Sequence, residues 1–280
     1  MFNKNDNQEV RSRNMAAPRV SEEIKESDSN MFEGMISIRA VLSTDCKNRR
    51  ITKLLYSKER TEKKRREFRW LTGEAEKYGF IIETPTRSEI DRMALGTSHG
   101  GVIAFCTQRE YPELDASFIQ RTRRTGFYVM IEGIEDPFNF GYALRSVYSA
   151  GADAVILSKR NWMNAAGVVC RSSAGASELA EIAVSDSRDA AVLFRSLGFK
   201  VICADMTKDS ESAFDASLRL PLLLIVGGEK RGISKALSDE ADSVVCLEYG
   251  RPFPEALSAA SAAAVLSYEI LRQNREKKQK

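Results

Sequence analysis

The sequence predicts an α/β protein, with a doubly wound parallel sheet in its C-terminal half and a smaller α/β domain before it. Three observations predict this. Four segments after residue 125 are near-continuous apolar runs, the pattern of parallel strands covered on both faces. Stretches of helical length and periodicity fall between them. A similar alternation of shorter elements precedes residue 107.

In chain order, residues 1–31 are polar and charge-mixed, without the apolar run of a secretory signal, and read as a disordered or loosely packed tail. The first domain spans 32–106. There, 36–42 suit a helix, 51–56 a strand, and 61–78 a charged helix with Phe68, Leu71 and Ala75 on one stripe. Residues 80–83 suit a strand, 88–95 a short helix capped by Ser88 with Asp91 three residues on, and 102–105 a third strand. Residues 107–124 are polar, contain Pro112 and read as a linker. The second domain spans 125–273. Its strands are expected at 127–131, 154–157, 201–204, 222–226 and 244–247, and its helices at 140–150, 190–197, 233–240 and 254–272. Residues 274–280 form a charged tail.

The chain has 280 residues and a net charge of only +3, so overall charge points to no polyanionic partner. Its distribution does. Lys47, Arg49, Arg50, Lys53, Lys58, Arg60, Lys63, Lys64, Arg65, Arg66 and Arg69 cluster with few acids, which suits phosphate contacts, with a solvated helix face as the alternative; Arg121, Arg123 and Arg124 extend the track. The five cysteines are scattered, and no two form Cys-x-x-Cys, which argues against a disulfide framework and a structural zinc site. Apolar neighbours, as around Cys203, predict buried reduced thiols and a reducing compartment. No run is long enough to span a bilayer. A cytoplasmic protein with no membrane partner and no metal is expected.

Three segments follow expected strands, where ligands bind in doubly wound sheets. The first contains Asn139, a possible helix cap, with Gly141 and, two turns further in, Arg145. The second runs Gly227-Gly228-Glu229-Lys230-Arg231-Gly232; it is neither a P-loop nor a dinucleotide fingerprint. The third is a long irregular loop from Leu247 through Leu257 and Ser258 into a run of small residues, Ala259 to Ala264. Together, in this order, they resemble the SpoU/TrmH-type family of SPOUT-class RNA ribose methyltransferases. Asn139, Gly141 and Arg145 match that family's first motif. Gly227, Glu229 and Gly232 match its second, and Leu257, Ala262, Tyr268, Glu269, Arg272 and Gln273 its third. Ser173 to Ala176 match a further segment, and the first domain resembles the family's ribosomal-protein-like RNA substrate-binding domain. One departure stands out: Ser258 replaces the family's usual Asn, after a loop one residue longer.

The resemblance implies a C-terminal trefoil knot, a homodimer joined through the last helix, and methyl transfer from S-adenosyl-L-methionine to a ribose 2′-hydroxyl of rRNA or tRNA. It implies cofactor contacts at Gly227, Gly228, Leu247, Leu257 and Ser258. Arg145 handles the acceptor hydroxyl, Asn139 positions Arg145 or the ribose, and Glu229 holds substrate or a basic partner residue. Arg49, Arg50, Lys63, Lys64 and Arg66 are the expected RNA contacts. The one histidine, His99, falls in the other domain, so a histidine base is not expected. Two other classes are weighed: a non-catalytic RNA-binding protein on the same scaffold, motivated by Ser258, and a nucleotide-dependent oxidoreductase, disfavoured by the missing fingerprint.

Overall fold

The computed structural model describes residues 30–158, 165–207, 210–228 and 232–275. Two sheets organise them. The first contains β1 (Met31–Glu33), β2 (Ile51–Tyr56), β3 (Ile81–Glu83) and β4 (Val102–Cys106), in the order β1-β4-β2-β3. β4 lies antiparallel to β1 and β2, and β3 parallel to β2. Helices α1 (Gly34–Ser43), α2 (Lys58–Lys63), α3 (Arg65–Tyr78) and α4 (Arg87–Met93) complete this unit. β1 was not expected; Met31, Phe32 and Glu33 are all buried along β4, although Met31 falls in the segment read as tail.

Three local expectations change here. The charged helix is two, because Lys64 leaves helical geometry at φ −123°, ψ 47°. The cap of α4 is Thr86 rather than Ser88, and Thr86 and Glu89 form a reciprocal capping box. Glu reaches back to the cap backbone, which the shorter Asp91 does less well. Residues 107–124 are not a free linker, since α5 (Ala116–Thr122) lies within them. Asp115 caps it by accepting the Phe118 N–H at 2.7 Å, and Phe118 and Ile119 are buried against the second sheet. Ahead of α5, Leu114 donates to the Val184 carbonyl and Val184 to that of Pro112.

The second sheet contains β5 (Phe127–Ile131), β6 (Ala154–Leu157), β7 (Ile182–Val184), β8 (Lys200–Ala204), β9 (Glu211–Ser212), β10 (Leu222–Val226) and β11 (Ser243–Cys246). The order is β7-β6-β5-β10-β8-β11-β9, with every pair parallel. Its helices are α6 (Pro137–Ser149), α7 (Ala166–Ser172), α8 (Ala176–Leu179), α9 (Ser187–Ser196), α10 (Lys235–Ser238) and α11 (Ala259–Asn274). Strand side chains alternate between two cores. Val129, Ile131, Leu224 and Val226 pack with α6 and α11. Tyr128, Met130, Leu223 and Ile225 pack with α5, α9 and α10. This two-sided cover explains the unbroken apolar runs, and each buried Leu or Ile contributes about 1.5–3 kcal/mol. Burial also pushes the Cys170 and Cys203 thiols up to about 12, so both stay protonated and unreactive.

The helix ends matter for the site. Asp136, not Asn139, caps α6: its carboxylate accepts the Asn139 N–H at 2.8 Å, and Pro137 takes the first position. Asn139 therefore sits inside the first turn. α11 starts at Ala259, five residues later than expected, with Ser258 as its cap. At its far end Gln273 accepts the Leu218 N–H at 2.9 Å and donates to the Ala216 carbonyl at 3.0 Å, tying the helix to the segment before β10.

The two units share a buried seam. Arg49 of the first pairs with Glu178 of the second at 3.0 Å, both side chains at most 3% exposed, while Glu33 pairs with Arg171. α7 lies so close to β1 that a Cβ on Gly167 would come 1.9 Å from the Met31 carbonyl oxygen.

Candidate functional site

β8, β10 and β11 include two adjacent strand pairs, β10–β8 and β8–β11, and their carboxyl ends open into one cleft. Gly227 and Gly228 follow β10. Asp205 and Met206 follow β8. Leu247, Tyr249, Ala256 and Leu257 come from the loop between β11 and α11. Ala259, Ala262 and Leu266 of α11 supply one apolar wall. About 760 Å³ of space lies between these walls, part of it open to solvent. The apolar lining with few polar groups is the usual composition of small-molecule sites.

The glycines shape the cleft by letting backbone meet backbone. A Cβ on Gly228 would lie 2.2 Å from the Gly133 carbonyl oxygen, and one on Gly227 2.6 Å from the Gly232 carbonyl carbon. Gly133 belongs to the loop between β5 and α6, so the first and second motif loops touch there. The Gly232 N–H closes the second loop on the Gly228 carbonyl at 3.0 Å. These contacts, more than ligand approach, require glycine. The third loop is held by the Tyr249 hydroxyl, which accepts the Leu257 N–H at 3.0 Å.

Asp205 is the one charged side chain among the described residues lining the cleft. Its Oδ1 accepts the Met206 N–H at 2.8 Å; its second oxygen has no hydrogen-bond partner among the described residues. Sequence reasoning missed it. The signal was its place directly after the carboxyl end of a parallel strand.

Residues 126–268 match the model of the SpoU rRNA Methylase family. The chain is a member of that family. Residues 33–112 match the model described as RNA 2'-O ribose methyltransferase substrate binding. YacO of Bacillus subtilis strain 168, named for the TrmH family of tRNA/rRNA methyltransferases, is 27% identical over 201 residues, covering 71% of this chain and 80% of YacO. A Staphylococcus epidermidis protein of the same family name is 27% identical over 204 residues, covering 71% and 80%. Among solved structures, an AdoMet-bound rRNA methyltransferase from Sinorhizobium meliloti shares the fold at TM-score 0.71 and 19% identity, covering 88% of each chain. The SpoU methyltransferase AviRb from Streptomyces viridochromogenes, in complex with AdoMet, does so at TM-score 0.66 and 23% identity, covering 87% of this chain and 89% of that one.

Of the residues that the SpoU motifs single out, the structure brings Gly227, Gly228, Leu247 and Leu257 together in the cleft. Ser258 stands between two lining residues, but its Oγ accepts the Ser261 N–H at 3.2 Å as the α11 cap. Asn and Ser are equally good caps, so the family's usual Asn and the Ser here serve the helix alike. Arg145 is exposed on α6, and neither it nor Asn139 lines the cleft of the single chain. Gly141 lets α6 approach α7, since a Cβ there would lie 1.8 Å from Ser172 Oγ. Glu229 lies outside the described residues. Glu269 and Arg272 pair at 2.7 Å on α11, and that guanidinium holds the Glu269 carboxyl below its usual range.

The expected RNA contacts divide. Arg49 is corrected outright: it is buried in the seam on Glu178 and the Thr107 carbonyl, with its guanidinium 5.0 Å from the Phe32 ring. Arg60 is bound to Glu67, Tyr56 and the Gly100 carbonyl. Arg50, Lys63, Lys64, Arg65, Arg66 and Arg69 are exposed. His99 is buried far from the cleft in sequence and element, accepting the Gly101 N–H at 3.2 Å and facing Asp91 at 3.1 Å.

Proposed function

We propose that this SpoU methylase transfers the methyl group of S-adenosyl-L-methionine to a ribose 2′-hydroxyl of ribosomal or transfer RNA. The observation that carries this reading is the cleft at the ends of β8, β10 and β11, built from the second and third family motifs. Its residues fit the cofactor. Leu247, Leu257, Ala262 and Leu266 offer apolar walls for adenine, and Asp205 offers a carboxylate to the cationic methionine end. When bound, the cofactor supplies a methyl group already activated on a sulfonium.

The remaining task falls to side chains at the acceptor. A ribose hydroxyl must lose its proton as it attacks. A guanidinium is a poor base, so the role of Arg145 is to stabilise the negative charge that develops on that oxygen. Asn139, in the first turn of α6 and less than two turns before Arg145, orients the ribose or Arg145. Glu229 steadies the substrate side. No step requires a metal ion. Because Arg145 lies outside the cleft of one chain, we assign its approach to a homodimer. The exposed Tyr142 of α6 and Val265 and Tyr268 of α11 form the apolar face on which two copies meet. A trefoil knot in the segments framing the cleft, and a cytoplasmic location, belong to the same proposal. Among the described residues no helix is long and apolar enough to cross a membrane.

Methylation of purified rRNA and tRNA with radiolabelled cofactor, followed by mass-spectrometric mapping, tests the reading. Methyl groups are expected at alkali-resistant linkages, which mark a blocked 2′-hydroxyl; label on bases alone refutes it. Asp205→Asn is expected to weaken S-adenosyl-L-methionine by about 1.5–3 kcal/mol, the scale of one charged hydrogen bond, in calorimetry. 5′-Methylthioadenosine, which lacks the amino-acid end, should bind as before. Equal loss with both ligands places Asp205 on the ribose instead.

A further inference from the structure

The first unit leaves one large aromatic side chain part-exposed among cations. α3 is anchored by Leu71, fully buried, and by Phe68, whose ring lies 5.3 Å from that of Tyr56. Trp70 sits on another face and is 38% exposed. Burying a Trp is among the largest apolar gains open to a helix, so one left at the surface is informative. Arg66 stands one turn before it, and Arg65 and Arg69 form a parallel pair on the neighbouring stripe. The break at Lys64 brings Lys63 and Lys64 of the α2 end to the same shallow hollow, and Arg39 of α1 closes its other side. The Arg39 guanidinium is 5.5 Å from the Trp70 ring centroid. Glu62 also lines the hollow, and the Glu67 carboxylate beneath is paired with Arg60 at 2.6 Å and Arg39 at 3.6 Å, so the cations Lys63, Lys64, Arg65 and Arg66 outnumber the acids along its edge.

We propose that this hollow captures an unpaired nucleotide of the RNA substrate, its base stacked on Trp70 and its flanking phosphates held by Lys63, Lys64 and Arg66. The inference rests on the RNA reading above and narrows it. A run of cations alone suits any nucleic acid, because phosphate contacts carry no information about pairing. An exposed indole among them selects strands whose bases are free to leave the stack, since a base within a duplex has both faces covered. The favoured substrate is therefore a loop, bulge or single-stranded segment, not a continuous helix.

The test uses the full chain and three fluorescein-labelled probes: a uridylate decamer, a decamer of abasic phosphate units and a blunt RNA duplex. Trp70→Ala is expected to weaken the uridylate decamer about tenfold, the usual loss of one base–aromatic stack. Trp70→Phe should restore most of that loss. Neither variant should change binding of the abasic probe or the duplex, or the slope of affinity against salt. A double Lys63→Ala, Arg66→Ala variant should weaken all three probes and lower that slope by about two, one for each lost phosphate contact. Equal affinity of wild type and Trp70→Ala for the uridylate decamer overturns the stacking site while leaving RNA binding intact. So does an equal loss on the abasic probe. Absence of binding to every probe by the wild type overturns the stacking site together with the RNA reading.

Discussion

Replacing Arg145 by Ala is expected to lower kcat for methyl transfer by about 10²–10³-fold, the effect of removing one preorganised group from a developing oxyanion. Binding of S-adenosyl-L-methionine should be unchanged, because the cleft is lined from other loops. Folding should be unchanged too, since the side chain is exposed on α6. Arg145→Lys keeps the charge but loses the planar fork, and should fall between the two. Single-turnover rates and calorimetry on the same preparations separate these effects. Full activity in Arg145→Ala removes the guanidinium from the chemistry, and a parallel loss of cofactor affinity makes its role structural.

The second large effect is on stability. Arg49→Ala strands the Glu178 carboxylate in the seam, and losing one partner of a buried pair costs about 3–5 kcal/mol. The loss should appear as a lower urea midpoint. Arg49→Met with Glu178→Met, which removes both charges and keeps volume, should recover most of it. Affinity for RNA, measured on folded protein, should be unchanged. If Arg49→Ala weakened RNA and left the midpoint where it was, Arg49 would belong to the phosphate track after all.

That arginine shows where sequence reading stops. In the string it is one cation among eleven, and nothing local distinguishes Arg49 from Arg50. What separates them is a carboxylate 129 residues away, brought close only when the two units pack. Asp205 was passed over for a related reason: its place after a strand end was the one signal, and an aspartate in a loop is ordinary until adjacent strands gather around it. The buried strands β5, β6, β8 and β10 were legible because burial on both faces writes itself as unbroken apolar runs. β1 and β7, three residues each, were not; the equally short β3 was legible because it follows the Gly79 that ends α3. α5 hid in a polar stretch because only Phe118 and Ile119 mark its inner face. The motifs located the cleft loops from residue spacing, whereas the reasons for their glycines emerged only from the contacts.

The meeting of Gly133 and Gly228 has a mechanical consequence. Main chain pressed on main chain has no side chain to flex, so the two loops shift together or not at all. One of them borders the cleft and the other leads, through Asp136 and Pro137, into α6. On the proposed reading, a shift of the donor-side loop carries the start of the acceptor-side helix with it.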